Sequence, residues 1–207
     1  MKPIEGLKLS TDETSEGGKT LVSMGAYVIV LPDKVWVNSQ QNAEEKYDWG
    51  YIEASQEFNS GTLTFTLCDI QGNPYVNGTE TNPKFPQSSH TPPNNPANLE
   101  YWIDISTTPY TLRQYSTTTG QWTAIASTYI KIETSNSDID LTKSFNDGDS
   151  IIISGIRNAL LMDFNTKLTV WKVSKTAIIV AGILLNVWEA TPDVSTKIVF
   201  ARKIKNQ

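Results

Sequence analysis

The sequence predicts an all-β protein: two β lobes, sandwich- or barrel-like, joined by a proline-rich segment. Three observations lead there. Among 207 residues there are 24 Thr and 20 aromatics but only 19% charged residues, a composition suited to half-buried pleated surfaces rather than to solvated helices. Apolar runs are short, alternating or β-branched, and bounded by Gly, Pro, Asn and Asp. Six of the ten prolines fall between residues 71 and 99, too many breakers for the interior of an element. The expected organisation is therefore a polar arm over 1–19, an N-terminal β region over 20–75, a linker over 76–99 and a C-terminal β region over 100–207. The length is sufficient for each lobe to bury its own core.

Taken in order, residues 1–19 carry Asp12, Glu13, Glu16, Gly17 and Gly18 with no apolar period, so a partner would have to order them. The run LVSMGAYVIVL at 21–31 reads as one strand covered on both faces. Pro32-Asp33 suits a type I turn leading into a strand at 34–38, which makes a hairpin. Over 62–69 strict alternation places Leu63, Phe65 and Leu67 on one face and Thr64, Thr66 and a half-buried Cys68 on the other. The 71–99 segment serves as a boundary or as a long excursion across a neighbouring subunit. Strands at 101–104, 110–115, 121–124 and 128–132, with short connections, form a meander. Further strands are expected at 150–154, 168–173, 176–185 and 197–202, and a single helical turn at 159–162. No repeat of fixed period is present.

Charge and composition narrow the function. The formal net charge is −5, with 6 Lys/Arg against 12 Asp/Glu up to residue 95 and 11 against 10 beyond it. That balance gives no basic footprint for sequence-specific nucleic-acid binding. One Cys and one His leave neither a disulfide framework nor a Cys/His zinc site, and no metal or cofactor is expected. The longest apolar run, 177–185, is about half of a membrane span, so no membrane insertion is expected. The first residues lack an apolar run with a cleavage site, from which a cytoplasmic origin is expected.

Catalytic chemistry finds few candidates. Cys68 would need His90 as its base, and His90 lies in the proline-rich loop. Glu44, Glu45 and Asp48 fall in an exposed Gln/Asn-rich stretch. Asp138, Asp140, Asp147 and Asp149 gather around a turn without the spacing of a calcium loop. No phosphate loop or nucleophile elbow is present, no catalytic residue is assigned, and no enzymatic activity is expected. Asn77-Gly78-Thr79 fits a glycosylation sequon but lacks a secretory context. The aromatics remain: Trp102, Trp122, Tyr110 and Trp36 are the candidate interface anchors, since Trp and Tyr concentrate at the energetic centres of contacts.

The stretch YWIDISTTPYTLRQYSTTTGQWTAIASTYIKI at 101–132 resembles a segment of tailed-bacteriophage structural proteins in which W-[IV]-D-T-S-x-x-P-Y leads through a hairpin to G-x-W. Trp102, Asp104, Ser106, Pro109, Tyr110 and Trp122 carry the match, and Ile105 stands where Thr is usual. LVSMGAYVIVLPDKVWVNS at 21–39, GYIEAS at 50–55 and LTFTLCDIQGNPY at 63–75 are similar to the N-terminal region of prophage minor structural proteins. Longer members of that family continue into a propeller-like region similar to tail nozzle or tubular proteins. The resemblance implies a virion component assembled in the host cytoplasm, most directly a ring-forming tail, neck or nozzle protein. Its partners would be further copies of itself and other virion proteins. The alternative is a carbohydrate- or receptor-binding β module of a tail tip, with a host-surface glycan as its ligand.

Overall fold

The computed structural model describes Ile4, Gly6, Leu7, Leu9, residues 18–156, Phe164 and residues 166–202. The expected helical turn at 159–162 lies outside the described residues. The described residues are all-β apart from a single 3-10 turn at Leu141–Lys143, and none of their helices is long and apolar enough to cross a membrane. The chain divides into two compact units, one running to Ala54 and one spanning Ser55–Arg202.

The first unit is a four-stranded antiparallel sheet in chain order: β1 (Thr20–Met24), β2 (Tyr27–Leu31), β3 (Val35–Gln41) and β4 (Tyr47–Tyr51). The run 21–31, expected as one strand, is two. Gly25 takes φ 63°, a conformation open to glycine without a Cβ penalty, and Met24 pairs back onto Tyr27. The next hairpin forms as expected over Pro32-Asp33. Its turn has a cis Leu31–Pro32 peptide and Lys34 at φ 55°, in place of the plain type I turn. At the far turn, Asn42 Oδ1 accepts from the N–H groups of Glu44 and Lys46 at 3.0 and 3.1 Å. Only Val30 and Val35 of this sheet are buried.

The second unit is built on an eight-stranded sheet. Its strands are β5 (Ala54–Phe58), β6 (Leu63–Cys68), β13 (Tyr129–Thr134), β14 (Ser150–Ser154), β15 (Leu168–Val173), β16 (Ala177–Ala181), β17 (Trp188–Ala190) and β18 (Ile198–Arg202). They lie in the order β17-β6-β13-β16-β15-β14-β18-β5. β6 alternates as expected: Leu63, Phe65 and Leu67 are buried and face Thr134, Ile132 and Ile130 of β13 across an antiparallel ladder. A second sheet, in the order β12-β11-β10-β9, comprises β9 (Gln87–Ser89), β10 (Tyr101–Asp104), β11 (Thr111–Ser116) and β12 (Gln121–Ala124). Its Ile103 and Leu112 enter the same core as Phe65, Ile132, Val180 and Phe200. Phe58 and Phe200 meet within it at a centroid distance of 4.5 Å.

Several expectations are corrected. No sheet among the described residues closes into a barrel; the large one ends openly at β17 and β5. The proline-rich segment is not the junction between the units. The division falls at Ala54/Ser55, because the six-residue ladder between β6 and β13 binds 63–68 to the later strands. The segment itself supplies β9 and the small hairpin of β7 (Asn77–Thr79) and β8 (Asn82–Lys84). Its prolines are tolerated because these are short, peripheral strands, where a missing N–H interrupts no central ladder. The meander ends at β12, and β13 crosses into the large sheet between β6 and β16. Cys68 is buried rather than half-buried, since Tyr129 and Ile179 cover it on the face away from the main core.

Candidate functional site

The motif at 101–122 builds its own sheet. Trp102 is 5% exposed, and its Nε1–H donates to the Oγ and carbonyl oxygen of Ser89 at 3.0 and 3.2 Å. β9 is held to β10 by a parallel ladder of only three residue pairs, so this indole clamp ties down a strand too short to hold itself. Trp122 packs edge-to-face on Trp102 at 5.5 Å and against Tyr115 at 5.2 Å, a geometry that aromatic quadrupoles favour. Asp104, also buried, accepts the Ser106 N–H and hydroxyl through Oδ1 and the Arg113 Nε–H, at 2.9 Å, through Oδ2. Burial pushes its carboxyl up, but the bonds from Ser106 and Arg113 and the guanidinium charge outweigh that and hold it below the ordinary carboxylate range. Asp104 is therefore an ionised fastener between β10, its turn and β11. Tyr110 is half-buried and lines a hollow of about 410 Å³ with Leu112, Ile125 and Ile183.

Of the four candidate anchors, the structure brings Trp102 and Trp122 together and places Tyr110 in the hollow beside the same sheet. Trp36 lies in the other unit. There its ring sits over Gly50, where a Cβ would come within 2.8 Å of the indole nitrogen, and meets Tyr27 edge-to-face at 5.8 Å.

The N-terminal sheet is apolar on both faces. In register, Leu21, Val30, Val35 and Tyr51 align on one face, and Val22, Ile29 and Trp36 on the other. Among the described residues coverage stops short of β1: Val30 and Val35 are buried at the sheet centre. Every residue of β1 is exposed, with Leu21 at 66%, Met24 at 62% and neighbouring Tyr27 at 48%. Of the 1–19 arm, Ile4 and Leu7 are half-buried and Gly6 approaches Trp49. The two-sided apolar pattern of 21–31 was legible beforehand, but not that Val30 would be buried while β1 stayed exposed.

The acidic clusters serve turns. Asp147 Oδ1 accepts the Val173 N–H at 2.8 Å. Asp149 accepts the Asn146 N–H at 2.8 Å and pairs with Arg202 at 3.1 Å. Asp140 caps the 3-10 turn through Thr142, whose hydroxyl bond above all lowers its pKa. Glu44 pairs with Lys46 at the surface, and Asp48 accepts from Asn42. Among the described residues no three His, Cys, Asp or Glu side chains converge as a metal site would require. Burial pushes the Cys68 thiol up to about 11, so it is protonated at neutral pH and shielded from attack chemistry.

A pocket of about 470 Å³ opens beside β6, where β17 begins with Trp188 opposite Phe65. Phe65, Tyr75, Phe85 and Trp188 contribute aromatic walls, and Lys84 and Glu189 bring opposite charges to the lining. No family model, curated protein or solved structure matches this chain.

Proposed function

We propose that this chain is a structural component of a tailed-bacteriophage virion, a ring-forming tail, neck or nozzle protein that works through contacts with copies of itself and with other virion proteins. The observation carrying this reading is the N-terminal sheet, with its apolar faces and wholly exposed edge strand β1. A surface of that kind is a liability on a lone protein and an asset in an assembly. The pattern around Trp102, Asp104 and Trp122 adds the resemblance to phage structural proteins. The net negative charge suits a component that does not grip DNA. On this reading the protein has no catalytic role, takes no cofactor, does not insert into a membrane and is assembled in the host cytoplasm. Purified phage particles provide the test: mass spectrometry should find the chain in stoichiometric amount, and electron microscopy should place it in a ring. Absence from particles would refute the proposal.

A second reading, a carbohydrate- or receptor-binding module, is favoured by the aromatic pocket beside β6. Sugar rings stack on aromatic faces, and Lys84 and Glu189 offer polar contacts. Glycan-array binding that disappears in Trp188→Ala while the fold persists would support it. Absence of binding to host-surface polysaccharide would dismiss it.

A further inference from the structure

Two of the chain's charge-free stretches, 20–32 and 176–188, are thirteen residues long and dominated by apolar residues, and the chain treats them oppositely. The second supplies β16, a central strand with Ala177, Ile178, Ile179 and Val180 all buried. The first forms β1 and β2, and β1 lies at the edge of its sheet with all five residues exposed. Edge strands present unpaired N–H and C=O groups, and proteins ordinarily guard them with charge, brevity, proline or a bulge. The other edges here are guarded in those ways. β4 carries Asp48 and faces a register shift in β3. β9 and β17 have three residues each and β12 four. β5 carries Glu57, which is paired to Lys197 at 2.8 Å. β1 has no charge, no proline and an unbroken five-pair register with β2.

We propose that β1 is the seam of a homotypic contact, in which a second copy of this chain adds its own β1 antiparallel to the first across a two-fold axis at Val22. The inference rests on the reading above only in its claim that the chain acts through subunit contacts: an isologous seam joins subunits in pairs and leaves ring closure to other, heterologous contacts. Charge favours a second uncharged β1 as the partner: β1 itself carries no charge, and among the described residues the acidic side chains around this sheet, Asp33, Glu44, Glu45, Asp48 and Glu53, lie at its turns, on β4 or just beyond it. Two copies can approach along β1 without bringing like charges together. An isologous contact is self-complementary, and one register alone pairs all five residues. It places Val22 opposite Val22, Leu21 opposite Ser23 and Thr20 opposite Met24. With the axis normal to the sheet, each apolar face continues across the seam into an eight-stranded sheet.

Sedimentation velocity of the full chain over a wide concentration series is the test, with Val22→Lys as the disrupting variant and Val194→Lys, on an exposed loop of the other unit, as the control. A concentration-dependent dimer is expected, with the dissociation constant raised about tenfold or more in Val22→Lys and unchanged in Val194→Lys. Disulfide trapping reads the register independently of any folding defect in the lysine variant. Directly opposed residues have Cα atoms about 4.5–5.5 Å apart, within disulfide reach, so Val22→Cys should crosslink rapidly under oxidation. Leu21→Cys should not, because the two copies of residue 21 would lie about 8 Å apart. Buried Cys68 gives little background. A wild-type chain monomeric at every concentration, a Val22→Lys variant that associates normally, or equal crosslinking of the two cysteine variants would overturn the proposal. A β1 dimer missing from phage particles would refute the virion reading and leave the seam intact. A particle protein whose Val22→Cys variant never crosslinks would do the reverse.

Discussion

Replacing Trp102 tests whether the aromatic centre of the 101–122 motif holds this chain together from within. The side chain is 5% exposed, contacts Trp122 and bonds to Ser89 through its ring nitrogen. Truncating a buried Trp to Ala costs about 3–5 kcal/mol through lost packing and the cavity left behind. The Ser89 groups left without their donor add roughly 1 kcal/mol. At about 2–4 °C per kcal/mol for a unit of this size, Trp102→Ala should melt about 8–24 °C below wild type. Trp102→Phe keeps a ring but removes the donor, and should cost about 1–2 kcal/mol. Half-buried Trp122 should cost less than Trp102 on truncation to Ala. Guanidinium titrations followed by far-UV circular dichroism measure all three. A Trp102→Ala chain within about 0.5 kcal/mol of wild type, yet defective in self-association, would refute this reasoning and make Trp102 an intersubunit anchor.

Asp104 should make the fold acid-sensitive: its folded-state pKa is depressed, so its contribution is present above about pH 4 and lost as pH falls through the folded-state value. Asp104→Asn should cost about 1.5–3 kcal/mol at pH 7, and titrations at several pH values should show the gap to wild type narrowing toward pH 3. Cys68, with its thiol raised to about 11 and fully buried, should resist a thiol reagent at pH 8 and react stoichiometrically once guanidinium unfolds the chain; rapid native labelling would contradict its placement between Tyr129 and Ile179. Incubation with host cell-wall polysaccharide and peptidoglycan should release no reducing ends or peptides. Turnover abolished by Glu44→Ala, Glu45→Ala, Asp147→Ala or Asp149→Ala would replace the structural reading with an enzymatic one.

The sequence by itself determined the class of fold and most of the strands, because local pattern encodes burial directly. The alternation of Leu63, Phe65 and Leu67 with threonines survives unchanged as a core ladder, and the meander strands 101–104 and 121–124 lie where their patterning put them. The turn carboxylates were likewise legible, since Asp and Asn beside Gly or Ser satisfy nearby N–H groups. Tertiary structure alone decided what no local window contains: which strands pair and what covers them. Strand β6 finds β13 sixty residues later, and that ladder draws the proline-rich segment into the second unit instead of leaving it as a joint. Trp102 and Trp122 looked interchangeable as anchors, yet one is clamped to Ser89 beneath the surface and the other only half-covers it. The stretches 20–32 and 176–188 are alike in lacking charge, yet one supplies an exposed edge and the other a buried centre. Hydrophobicity states that a strand needs cover; long-range pairing decides whether its own chain provides it.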